Sequence, residues 1–363
     1  MPHRHQIHLI LLFAVLLPGL AACDAGGGEV VPGSTSTAGA CLVPTAQFGD
    51  GGIAKDAIPA LTDPTLLPPD SAAFMQETDR VIGLVVEGQP IAVPHNILWT
   101  HEIANLNFPS IQLAVTFCPL TGSSMAFDRA AVDGGEFGVS GLLFQNNLTM
   151  YDRTTRESLW PQMSRQAACG PRLGARLRMI PVLEMTWEGW KTLYPDTRVI
   201  SETGFDNEYT ATTYPYGDYA SPGNDVLLFP LEIDGRHPPK VRLLGIPDTR
   251  EGGVAFLFSD LDNDAPVRVV HERDEKGPIV VFWNSVYESA MAYRTLLDGT
   301  RLTFRVRGDH IVDVETGSRW RVDGLALAGP LAGNRLEPVA EAYVAFWFAW
   351  AAFHPQTRVW EGR

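Results

Sequence analysis

PDTRV at 195–199 recurs as PQTRV at 355–359, 160 residues further on (195 to 355). Each copy closes a stretch that reads as a helix stopped by proline, MTWEGWKTLYP (185–195) in the first and AYVAFWFAWAAFHP (342–355) in the second. Working outward, Trp160 and Trp320 keep the spacing of 160. Gly170-Pro171 and Gly329-Pro330 stand 159 apart, and Met125-Ala126-Phe127 and Met291-Ala292-Tyr293 stand 166 apart. Spacings that drift so little over such distances are those of one module written twice with small loop changes. What both copies keep is then framework, and what one copy alone carries is the better candidate for chemistry.

The elements read from the first copy are strands and a few helices. VIGLVVEGQPIAVP (81–94) alternates around a turn, and NILWTHEIANL (96–106) has helical spacing. IQLAVTFCPLTGSSMAFDR (111–129) reads as strand, tight turn, strand, and FGVSGLLFQNNLTMYDRTTRESLWPQ (137–162) as further antiparallel strands. The expected fold is α+β, mainly antiparallel sheet with a few helices, internally duplicated into two pseudo-symmetric repeats. The second repeat's helix is apolar on all sides and is expected to be deeply buried.

Residues 1–22 read as a lipoprotein signal peptide: Arg4, then the apolar run IHLILLFAVLLPGL, ending in LAAC with Cys23 as the residue to be lipidated. Residues 23–40 are a Gly/Ser/Thr-rich flexible tether. Residues 41–202 hold a lead segment and the first repeat, 203–240 a Tyr/Gly/Pro-rich linker, and 241–363 the second repeat. The chain is expected to be an extracytoplasmic lipoprotein of the bacterial cell envelope, its membrane partner reached through the Cys23 anchor. Loss of residues 1–22 removes Arg4 and no acid, taking the net charge from −14 to −15. So acidic a chain is a poor partner for nucleic acid. Of the remaining cysteines, Cys41 pairs with Cys118 or with Cys169 in an oxidising compartment, and spacing does not choose.

The chemistry-bearing residues special to the first copy are His101 and Cys118. Cys118 has Asn284 as its counterpart, and His101 has no clear histidine partner. With Glu102 they form a candidate catalytic set, Cys118 attacking, His101 as base and Glu102 or Asp152 orienting it. As metal ligands His101 and Cys118 point to copper, with His95, Met125 and Met150 the nearest additions. Asp152-Arg153 is a secondary candidate. Asp152 recurs as Asp313 before the second copy's Trp320, which favours a turn-forming role. No GxSxG elbow, no CxxCH and no phosphate-cradling glycine motif occurs.

The runs WTHEIAN (99–105), AVTFCPLTGSSMAFDR (114–129), the 137–162 segment and AGPLAGNRLEP (328–338) resemble the bacterial and archaeal family catalogued as domain of unknown function 3179. The resemblance covers nearly all of the chain after the tether. It implies that His101-Glu102, Cys118-Pro119-Leu120, Tyr151-Asp152-Arg153 with Trp160, and Gly329-Pro330 are family positions. Thr121 stands where some members have a second cysteine, so a CxxC couple is absent. The resemblance supplies no activity. Three expectations follow: a Cys/His site for copper or thiol redox chemistry, a non-catalytic binding or assembly module with a cleft formed by the sheets and the linker, or a Cys-nucleophile enzyme.

Overall fold

The computed structural model describes residues 40–201, 212, 214–249, 252–262 and 264–362. The signal peptide, the lipidation site and the tether up to residue 39 lie outside the described residues, as does the start of the linker. No helix among the described residues is long and apolar enough to cross a membrane.

Two four-stranded frames organise the chain. In the first, β1 (Arg80–Val86) and β2 (Gln89–Pro94) form the hairpin read from the sequence. Its turn is Glu87-Gly88, both with positive φ, which matches the right-handed twist of the strands. β2 runs straight into α1 (His95–Leu98). The chain later returns as β6 (Leu183–Thr186), α2 (Trp187–Leu193) and β7 (Arg198–Ile200). β6 pairs antiparallel with β1, and β7 pairs parallel with β2. The second frame repeats this with β8 (Arg242–Ile246), β9 (Val254–Leu257), α3 (Phe258–Leu261), β12 (Tyr343–Phe346), α4 (Trp347–Phe353) and β13 (Arg358–Val359). β12 pairs antiparallel with β8, β8 antiparallel with β9, and β13 parallel with β9.

The repeated PDTRV and PQTRV segments have a packing reason. Trp190 of α2 lies flat over Gly83 of β1, where an added Cβ would meet the ring at 2.3 Å. Trp350 of α4 covers Gly245 of β8 at the same 2.3 Å. Each indole N–H donates to the threonine of the repeated pentapeptide, Trp190 to Thr197 (2.7 Å) and Trp350 to Thr357 (2.9 Å). Thus each helix is pinned to its sheet by a glycine seat and a threonine acceptor. α4 is the apolar one, with Trp347 to Ala351 all buried.

Between β2 and β6 the first half inserts β3 (Ile103–Asn107), β4 (Gln112–Cys118) and β5 (Ser123–Asp128), which form an antiparallel meander. The second half has the matching hairpin β10 (Gly277–Asn284) and β11 (Ser289–Arg294). Each hairpin abuts the other half's frame. Phe346 N–H donates to Thr121 O (2.8 Å), and Thr186 N–H donates to Tyr287 O (3.2 Å). β5 also joins β12 directly, with Ser124 opposite Val344. The halves therefore interlock, and residues 38–363 form one compact unit. The fold is α+β and mainly antiparallel.

Two expectations change. The helix read over 96–106 is only four residues long, and IANLN is strand β3. Glu102 takes a positive φ of 57° and ends the turn, after which pairing from Ile103↔Thr116 to Asn107↔Gln112 satisfies the backbone as strand. His101 accordingly sits in the turn between α1 and β3 rather than on a helix. The cysteine ambiguity also closes: Cys41 is bonded to Cys169.

Candidate functional site in the cleft between the halves

Cys118, at the end of β4, is the free cysteine among the described residues and is fully buried. Its sulfur accepts the Leu148 N–H at 3.3 Å, and its thiol lies 3.9 Å from the Asn146 carbonyl. Burial, and then the neighbouring Glu102 carboxyl, push the thiol up to about 11. Glu102 is itself pushed up to about 8 by burial, so it is protonated at neutral pH. His101 Nδ1–H donates to the Pro59 carbonyl at 2.7 Å, and burial lowers its pKa. Cys118 and Glu102 are therefore electrostatic neighbours, and all three groups are held in their neutral forms. A thiol kept protonated is a weak nucleophile and a weak metal ligand. Among the described residues no group of three or more His, Cys, Asp or Glu side chains is arranged to hold a metal ion. Met125 and Met150 are fully buried in the core.

Asp152 and Arg153 are placed as framework. Asp152 accepts the Trp160 indole N–H (3.0 Å) and the Thr155 N–H (2.7 Å). Asp313 does the same for Trp320 (2.9 Å) and Thr316 (2.6 Å). Arg153 extends to Glu136 at 2.8 Å.

A different set of polar residues lines an open cleft of ≈ 490 Å³. Sites for small molecules span roughly 300–1,000 Å³. His95 enters it as the first residue of α1, Glu184 from β6, Arg80 and Arg242 as the first residues of β1 and β8, and Glu288 from the turn between β10 and β11. Ser124 of β5 lies behind them. Its hydroxyl donates to Glu184 Oε2 at 2.5 Å, and its oxygen lies 3.1 Å from His95 Nε2. Glu184 Oε1 also holds Arg242 Nη2. Trp99, Phe117, Tyr214 and Phe346 give the cleft an aromatic wall. Tyr214 comes from the linker and packs edge-on against Trp99, 4.9 Å between centroids.

The protonation states follow from this wiring. Burial alone would raise the Glu184 pKa, but Arg242, His95 and Arg80 outweigh it and hold the carboxyl well below the usual range. Glu184 is therefore an acceptor only, and Ser124 must give it the hydroxyl proton. Burial lowers His95 more than Glu184 raises it, so the imidazole is neutral. With the Ser124 proton committed, His95 carries its own proton on Nε2 and donates to Ser124. Nδ1 is left as an acceptor, and no bond to it occurs among the described residues. His95 is held in place by stacking on Phe117, centroids 3.9 Å apart and planes at 21°.

Serine, histidine and glutamate are the residue types of a hydrolase triad, but here they are wired in another order. The carboxylate takes the serine proton directly instead of orienting the imidazole through Nδ1. Ser124 is also almost fully buried, and the cluster holds His95 and Arg242 in place.

The second half has the same positions without the chemistry. Phe258 opens α3 as His95 opens α1, and packs on Trp283 (4.8 Å) as His95 packs on Phe117. In the hairpins Cys118↔Ser123 and Asn284↔Ser289 are matching register positions, so Ala290 stands where Ser124 does. Val344 of β12 stands where Glu184 of β6 does. The polar trio is thus His95, Ser124 and Glu184 in one half and Phe258, Ala290 and Val344 in the other. Reading along the chain missed it because its members come from three elements 29 and 60 residues apart (95 to 124, 124 to 184). In the sequence His95 reads only as an additional copper ligand. The signal lies in the two halves set side by side: a charged residue in β6 against valine in β12.

The model of the family described as "Protein of unknown function (DUF3179)" matches residues 55–357. No curated protein and no solved structure matches.

Proposed function

We propose that this chain, which belongs to the DUF3179 family, is a ligand-binding module of the bacterial cell envelope, tethered through a lipid on Cys23 and holding a small molecule in the cleft beside His95. The observation that carries this reading is the one-sided cluster: the two halves share their seats, pins and strand order, yet His95, Ser124 and Glu184 occur in the first alone. Buried polar groups cost stability unless fully bonded, and with phenylalanine, alanine and valine at the equivalent places the shared frame supplies no reason for the cluster, although Glu184 is the main counter-charge of Arg242. Those same equivalences support reading the halves as duplicates. The linker supports the cleft reading too, since Tyr214, Ala220 and Pro222 help to wall it. The Cys41–Cys169 disulfide supports an oxidising compartment outside the cytoplasm.

The test is a ligand-observed NMR screen of the purified chain against small aromatic fragments. The reading expects saturable binders that are lost in the variant His95→Phe/Ser124→Ala/Glu184→Val, which carries the second half's residues, and weakened in Trp99→Ala. Binders that remain saturable in both variants would place the ligand elsewhere and refute the reading.

A further inference from the structure

Arg80 and Arg242 occupy equivalent positions in the two frames, and both reach one carboxylate. Arg80 Nη2 pairs with Glu288 Oε2, and Arg242 Nη1 lies 3.3 Å from the same oxygen. Glu288 is unlike the other acids around it. Its side chain is 52% exposed, against 2% for Glu184, and it stands on a tight turn with φ 46°. Asp79 is taken up by Asn96 Nδ2 (2.7 Å) and the Gln76 N–H (2.7 Å), and Glu184 by Ser124 and Arg242. Of the three, Glu288 alone is exposed.

Arg80 is left under-served. Arg80 Nη1 is buried with no hydrogen-bond partner among the described residues. Burial, and then repulsion from Arg242, bring the Arg80 pKa down to about 9, so a further anion beside the pair relieves a standing cost. A half-exposed carboxylate is a weak holder of such a pair, because solvent competes for it. Arginine forks match carboxylate and phosphate oxygens in geometry as well as charge. Beside this corner stand Trp99, Tyr214 and Phe346, a surface for an apolar or aromatic body.

We propose that the cleft takes a small ligand with an anionic oxygen group, carboxylate or phosphate, on an apolar body, and that the anionic group displaces Glu288 from between Arg80 and Arg242. Glu288 is the stand-in that occupies the position when no ligand is present. The aromatic wall holds the body beside His95. The inference rests on the cleft reading and adds the ligand's chemical class.

Isothermal titration of the purified chain with phenylacetate, phenyl phosphate, inorganic phosphate and the neutral isostere phenylacetamide tests it. The expected result is that phenylacetate or phenyl phosphate binds at least tenfold more tightly than phenylacetamide, and the stronger of the two identifies the anionic group. Inorganic phosphate alone binds at least tenfold more weakly than the aromatic anions. Glu288→Gln removes the competitor and strengthens anion binding several-fold, whereas Arg80→Gln weakens it tenfold or more. Phenylacetamide binding as tightly as phenylacetate, with the cleft variants abolishing both, would overturn the anion assignment and leave the cleft reading standing. Glu288→Gln weakening anion binding would overturn the stand-in role. No binding by any of the four probes would overturn the proposed class, while fragments lost in the His95 triple variant would still uphold the cleft.

Discussion

Ser124 Oγ donates to Glu184 Oε2 at 2.5 Å across the junction of β5 and β6, while Ala290 and Val344 hold the equivalent places in the second half. Arg242, His95 and Arg80 hold Glu184 ionised against burial. The Ser124 proton committed to that carboxylate sets the His95 tautomer, and the other carboxylate oxygen aligns Arg242. The cleft's electrostatics therefore hang on one buried carboxylate.

Glu184→Gln is expected to destabilise the protein by roughly 3–5 kcal/mol, because it leaves the buried Arg242 without its main counter-charge. Urea unfolding at pH 7 measures this. A loss under about 1 kcal/mol would mean that Glu288 alone satisfies Arg242.

Gly83→Ala and Gly245→Ala each drive a methyl group into a tryptophan ring, Trp190 and Trp350 respectively. Each is expected to cost about 1–3 kcal/mol by overpacking, and the two costs should be alike. A neutral result at either site, read by thermal unfolding, contradicts the view that both helices are pinned in the same way.

Much of this was legible in the chain. The hairpin over 81–94, the two proline-stopped helices and the strand–turn–strand around Cys118 follow from period, turn residues and the repeat itself. The helix over 96–106 was misread because its apolar spacing suits both states, and only pairing with 112–116 decides between them. The cleft was not legible for a related reason. His95, Ser124 and Glu184 meet where α1, β5 and β6 of the first half converge, and such a contact leaves no spacing pattern along the chain. His101 and Cys118 stand out in the sequence because the second half lacks them, yet burial holds both of them and Glu102 neutral.

Glu102 gives a pH signature. Its folded pKa of about 8 lies above the ordinary glutamate value of 4.5, so its stabilising contribution is complete below the unfolded value and is lost as pH rises through the folded one. Glu102→Gln should match the wild type near pH 4.5. It should then gain on it by up to about 1.4 kcal/mol per pH unit until pH 8. Unfolding curves at pH 5 and pH 8 that show the same difference between the two proteins would contradict the burial of this carboxyl.

The Cys41–Cys169 bond joins residues 128 apart and ties the lead segment to the first half, where Leu42 N–H also donates to Ala168 O at 2.8 Å. Cys41→Ser/Cys169→Ser is expected to lower stability by roughly 2–5 kcal/mol. Cys118 should stay unreactive to iodoacetamide at pH 7 in the folded protein and react on unfolding. Mass spectrometry of both states checks this.

The most direct measurement is a set of crystal structures soaked with the fragments recovered from the NMR screen. Difference density is expected in the cleft, between the Trp99–Tyr214 wall and His95, with Glu288 moved away from Arg80 where the fragment is anionic. Density confined to other sites, such as the polar pocket by Asp274 and His354, with the His95 cleft empty and Glu288 in place, would contradict the account.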